Sequence, residues 1–152
     1  MRVVAALLYF LAIAGGCDRL RRARCDVSCA RFGQCMPAGD GVCVATPDDC
    51  ARSEECRAFG LCSARAGRCV AGSDAECERS ERCARAGACV ASEGRCVPSD
   101  AGCRRTETCR SFGFCSTVAG RCRALSDDDC AQASTCTRAG RCAARGWRCV
   151  KP

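Results

Sequence analysis

The sequence predicts a small disulfide-rich α+β repeat protein, five helix-plus-hairpin units in tandem with little hydrophobic core. Three observations predict it. First, sets of four cysteines recur in one frame: Cys50, Cys56, Cys62, Cys69; Cys77, Cys83, Cys89, Cys96; Cys103, Cys109, Cys115, Cys122; and Cys130, Cys136, Cys142, Cys149. An imperfect copy precedes them at Cys25, Cys29, Cys35 and Cys43. Second, the frame C-x5-C-x5-C-x6-C has a period of 26 or 27 residues, the length of one supersecondary unit in a repeat array. Third, large apolar residues are sparse: alanine and cysteine supply much of the 48% hydrophobic share, and the single isoleucine is Ile13. Such a chain cannot offset its ordering entropy by apolar burial, and its 21 cysteines are the available staples.

Two absences narrow the chemistry. The sequence holds no His, which removes Ser-His-Asp and Cys-His nucleophile pairs and His-containing zinc sites. It holds no Asn, so there is no Asn-linked glycosylation site. The net charge of +7 comes almost wholly from arginine, with Lys151 the sole lysine. Acids are interspersed, which fits a solvated surface and no specific nucleic-acid binding.

Residues 1–16 read as an export signal. Arg2 opens it, and Val3 to Ala14 is an unbroken apolar run, shorter than the roughly 20 residues a membrane span needs. The AGGC segment ending at Cys17 resembles the lipobox of bacterial lipoproteins, although Ala14 stands where leucine is usual. Five sets of four use all but one of the cysteines, and the one left over is Cys17. Cys17 is therefore the expected lipidation site, with residues 17–24 a short tether. Lipoprotein modification adds several acyl chains, where one alone binds a membrane only marginally.

The units follow as 25–45, 46–72, 73–98, 99–125 and 126–152. The first is atypical, as terminal repeats often are. In the others a cap precedes the first cysteine: Thr46-Pro47-Asp48-Asp49, Ser73-Asp74-Ala75-Glu76, Ser99-Asp100 and Ser126-Asp127-Asp128-Asp129. Ser or Thr accepts from free N–H groups, proline suits the first helical position, and acids favour the positive end of the dipole. Ser73 with Glu76 reads as a capping box. About three turns of Ala-, Arg- and Glu-rich helix are expected to carry the first two cysteines. Gly60, Gly87, Gly113 and Gly140, with Gly33 in the first unit, stand where a left-handed residue ends a helix. A short hairpin then turns at Gly67, Gly94, Gly120 or Gly146 and closes on Arg-Cys.

On one helix the first two cysteines of a unit would stand about 120° apart and could not bond each other. Two pairings remain: first to third with second to fourth, or first to fourth with second to third. We favour the former. Metal binding is the rival reading, but cysteine zinc sites use closely spaced pairs such as C-x2-C, and the sequence contains no CxxC. No metal and no cofactor are expected.

The candidate binding residues are Arg68, Arg95, Arg121 and Arg148, each preceding the last cysteine of a unit, together with Trp147 in the final turn. Equivalent arginines on stacked units could bind a polyanion. The plainer alternative is that they are solvated, or pair with acids opening a neighbouring helix. Phe32, Phe59 and Phe112 share one frame position and are expected to form the small core or the seal between units. Trp147 is expected to pack on the last hairpin. The acid clusters read as helix caps, and no catalytic constellation is present.

The SD-x-x-C openings (Ser73, Asp74, Cys77; Ser99, Asp100, Cys103), the G-x-C step (Gly87, Cys89) and the GRC close (Gly67, Arg68, Cys69) carry a resemblance over about residues 17–150. With the lipobox-like leader, the array resembles uncharacterised cysteine-rich tandem-repeat lipoproteins of myxobacterial type. That resemblance implies no particular activity. The expected function is an exported, lipid-anchored, non-enzymatic binding or envelope-structural module, facing the periplasm or the cell surface. Its partner would be an unknown protein or a polyanionic envelope ligand, and a lipid on Cys17 would hold it to the membrane. A secreted disulfide-stabilised inhibitor or toxin-like effector is the alternative, and a cysteine-rich metal-binding protein a second one.

Overall fold

The computed structural model describes residues 25–39 and 41–152. The export signal, Cys17 and the tether lie outside the described residues. Among those residues no helix is long and apolar enough to cross a membrane.

Five two-stranded antiparallel sheets follow one another along the chain, each preceded by helix. The first unit has helical residues 25–32 (α1), then β1 (Met36–Pro37) and β2 (Cys43–Val44). The second has α2 (Pro47–Arg52), α3 (Glu54–Phe59), β3 (Ser63–Arg65) and β4 (Arg68–Val70). The third has α4 (Asp74–Glu78), α5 (Glu81–Ala86), β5 (Val90–Ser92) and β6 (Arg95–Val97). The fourth has α6 (Asp100–Arg104), α7 (Glu107–Phe112), β7 (Ser116–Val118) and β8 (Arg121–Arg123). The fifth has α8 (Asp127–Ala131), α9 (Ser134–Ala139), β9 (Ala143–Arg145) and β10 (Arg148–Val150).

The expected three-turn helix is two short helices in each of the last four units. The break falls three residues after the first cysteine, at Ser53, Ser80, Thr106 and Ala133. Backbone ψ there is near 150°, outside the helical region. A hydroxyl makes the break inexpensive. Ser80 Oγ donates to Cys77 O at 2.7 Å and accepts from Cys83 N–H at 3.1 Å, so one side chain ends one helix and begins the next. Ser53 and Thr106 make the same two bonds. The sequence signal was a second cap motif, [ST]-x-x-C, nested inside the first. At the unit entrances Thr46, Ser73, Ser99 and Ser126 cap as expected. The full capping box is at Ser126–Asp129. In the third unit Glu76 instead accepts from Gly72 N–H and from Ser63 Oγ, so the Ser73–Glu76 box expected from sequence is only half formed.

The second helix ends at a left-handed glycine, with φ between 64° and 75° at Gly33, Gly60, Gly87, Gly113 and Gly140. Each donates its N–H four residues back, as Gly60 does to Cys56 O at 2.9 Å. This reversal folds the third cysteine back beside the second. The bridges are accordingly Cys29–Cys35, Cys56–Cys62, Cys83–Cys89, Cys109–Cys115 and Cys136–Cys142. The first and fourth cysteines close the units: Cys25–Cys43, Cys50–Cys69, Cys77–Cys96, Cys103–Cys122 and Cys130–Cys149. The pairing favoured from sequence, first to third, is thus replaced by first to fourth. The helix break and the glycine reversal together decide it, because a single straight helix would have carried the second cysteine elsewhere. In the first unit the late Cys25 is largely compensated by the longer hairpin: Cys25 and Cys43 are 18 residues apart, against 19 in the other units.

Sulfur and alanine form the core. Cys50, Cys77, Cys103 and Cys130 are fully buried, as are the linker alanines Ala71 and Ala124 to within a few per cent. Of the phenylalanines expected to form the core or the seal, Phe59 is 43% and Phe112 54% exposed, while Phe32 is half-buried. The residue after the glycine takes that place. Leu61 packs on a cluster with Cys77 and Ala88, and Phe114 on one with Cys130 and Cys149. Once the left-handed turn has reversed the chain, the following side chain faces the next unit.

The helix-ending glycines also join the units. A Cβ on Gly60 would stand 2.7 Å from Cys96 Sγ and 3.0 Å from Cys77 Cα, both in the next unit. Gly33 and Gly113 meet the equivalent atoms of their following units, whereas Gly140, in the last unit, faces open space. Linker amides add a strut: Ala45 N–H donates to Gly67 O, Ala71 N–H to Gly94 O and Ala124 N–H to Trp147 O. The third junction differs. Pro98 occupies the linker position and has no N–H to give. The period there is 26 residues, and Gly87 presses on Gly102 and Cys103, where Gly102 has no side chain to obstruct it.

Candidate functional site

Each hairpin of the last four units turns through two residues with positive φ: Ala66-Gly67, Glu93-Gly94, Ala119-Gly120 and Gly146-Trp147. Such a turn matches the strand twist and lets a loop of only two residues suffice. The first residue after the first three turns is Arg68, Arg95 and Arg121, and the same strand position in the last unit is Arg148. All four are exposed. None has a carboxylate partner among the described residues. The acids that open the following helices are engaged elsewhere, so the expected ion pairing with them is not observed.

Those acids perform a task that sequence reasoning missed. Asp74, Asp100 and Asp127 each reach across to the hairpin of their own unit and accept from a mid-strand N–H: Ala91 at 2.7 Å, Thr117 at 2.6 Å and Ala144 at 2.7 Å. They pin helix to hairpin in addition to favouring the helix start. Pro47 replaces this aspartate in the second unit. The backbone N–H of Thr117, with its side chain and nearby Arg104, holds the Asp100 carboxyl below its ordinary pKa. Glu107 is likewise lowered, first by the Ser111 hydroxyl and then by Arg110. The regular spacing of Asp one residue after the Ser cap was the available signal. Asp129 is buried within the capping box, and Asp127 also stands 3.7 Å from Arg145.

Trp147 does not pack away on the last hairpin. It is 51% exposed and holds φ at 66°, where glycine stands in three other units. A bulky residue in that region is strained. Trp147 lines a shallow hollow with Leu125, itself 55% exposed, and with Ala144.

The twenty cysteines from Cys25 to Cys149 are all in bridges. No thiolate therefore remains among the described residues for ligation or attack. Bridges at this density belong to an oxidising compartment. No family model, curated protein or solved structure matches the chain.

Proposed function

We propose that the chain is an exported, lipid-anchored, non-enzymatic module of the cell envelope that presents its hairpin arginines to a polyanionic ligand. The observation that carries this reading is the repetition of Arg68, Arg95, Arg121 and Arg148 at one hairpin position, all exposed and without a carboxylate partner among the described residues. Equivalent cations on a cross-linked scaffold add their attraction for a multivalent anion without reorganising on binding. Export rests on the Arg2-led apolar run and the AGGC segment at Cys17. The resemblance to myxobacterial cysteine-rich lipoproteins points the same way.

Two measurements test the reading. Binding to immobilised heparin, an acidic polysaccharide probe, should be salt-sensitive. The eluting salt concentration should fall stepwise as the four arginines are replaced by serine; retention unchanged in the fourfold variant refutes the ligand class. Fatty-acid labelling in the native host should mark the wild type and be lost in Cys17→Ser. An unlabelled protein recovered from the medium favours the secreted effector.

A further inference from the structure

The third junction leaves a space that the first two close. Gly67 packs on Val44 and Gly94 on Val70, each hairpin turn resting on the valine that ends the preceding unit's hairpin. The corresponding pair would be Val97 and Gly120, yet a Cβ on Gly120 would find nothing within 4 Å. The strut is missing as well, because Pro98 cannot donate to the turn. The result is a groove of about 440 Å³ reaching from Gly120 over the third unit to the second, within the range of small-ligand sites.

Its floor is apolar: Phe59 and Leu61 from one unit, Val97 and Pro98 from the next. Its rim is charged. The Arg82 guanidinium lies 5.8 Å from the centre of the Phe59 ring, and Arg95 lines the groove with no carboxylate partner among the described residues. Glu55 is the one acid in the lining.

We infer that this groove binds a small amphiphile with an apolar body and a carboxylate head. The half-exposed Phe59 ring and its neighbours gain from being covered. Two guanidiniums against one carboxylate leave a single positive charge, which matches a monoanion. A phosphate monoester, at about −1.5 to −2, would overcharge the rim, and a cationic head would be repelled by it. Arginine forks also favour a planar carboxylate that can accept two bonds. The groove shares Arg95 with the proposed polyanion surface, whereas Arg68, Arg121 and Arg148 do not line it.

The test uses the oxidised mature protein, with anilinonaphthalenesulfonate fluorescence as the reporter and dodecanoate as competitor. One saturable site is expected, displaced by dodecanoate and not by dodecyltrimethylammonium, which has the same tail and the opposite charge. Arg82→Glu should weaken dodecanoate binding by about tenfold or more, since a charge-assisted contact becomes a repulsion. Val97→Asp should act likewise, and Arg138→Glu, an exposed position in the last unit outside the groove, should leave binding unchanged. Arg82 is exposed, so its variant tests the site even if Val97→Asp does not fold, and recovery of the Cys77–Cys96 and Cys83–Cys89 links in peptide mapping reports folding in each. The inference is overturned by equal displacement with the cationic amphiphile, by equal loss in Arg138→Glu, or by the lack of a saturable site. Heparin retention, measured on the same variants, should stay high in Val97→Asp, so failure of either reading is visible without the other.

Discussion

Ser80→Ala isolates the device that divides each helix. Ser80 is 3% exposed, and its hydroxyl makes bonds of 2.7 and 3.1 Å. Removing it takes away an N-cap, worth about 1 kcal/mol. If Cys83 N–H were then left buried without an acceptor, the cost would rise to about 3 kcal/mol. The fifth unit decides between these values. Ala133 has no hydroxyl, and there Cys136 N–H turns to Ala133 O at 2.9 Å. Cys77 O also keeps the Ser80 N–H at 3.0 Å. Both partners therefore have a fallback, and the expected cost is about 1 kcal/mol. Because the effect is local to one helix break, the assay is amide hydrogen exchange at Cys83, which should quicken about fivefold. Ala133→Ser should slow exchange at Cys136 by a similar factor. Unchanged exchange at Cys83, or no slowing at Cys136, refutes the reading of this residue as a double cap.

Gly60→Ala should destabilise the second junction well beyond the backbone cost, because its Cβ would stand 2.7 Å from Cys96 Sγ, whereas Gly140→Ala meets open space and should cost only about 1–2 kcal/mol. Thermal unfolding separates the two, and equal losses would show that the glycines do not join the units. Peptide mapping of the unreduced protein should recover Cys56 linked to Cys62 and Cys50 linked to Cys69; a Cys50–Cys62 link refutes the architecture. Replacing Cys77 and Cys96 together by serine should cost about 3 kcal/mol from loop closure, against about 2 for Cys83 with Cys89, since the closed loop is longer. Asp100 has a lowered folded pKa, so its contribution is present above the unfolded carboxylate pKa and fades as pH falls through the lower folded value. Protection of the Thr117 amide, relative to its intrinsic exchange rate at each pH, should therefore hold at neutral pH and fall only below the ordinary aspartate range, and Asp100→Asn should remove that transition.

The unit, its number and the bridging of its cysteines were legible in the residue order alone. Cysteine spacing, caps and glycines are local signals, and each implies its chemistry wherever the chain goes. It also carried [ST]-x-x-C, whose meaning depends on recognising a second cap inside what reads as one helix. The bridge pairing needed the tertiary structure, because two pairings satisfied the same spacing and a backbone break smaller than one turn chose between them. The outward rotation of Phe59 and Phe112 was equally hidden: burial depends on where the neighbouring unit lies, and the frame position alone does not say. The groove beside Pro98 is decided at the same level. A missing amide is visible in the sequence, but the space it opens exists only where two units fail to meet.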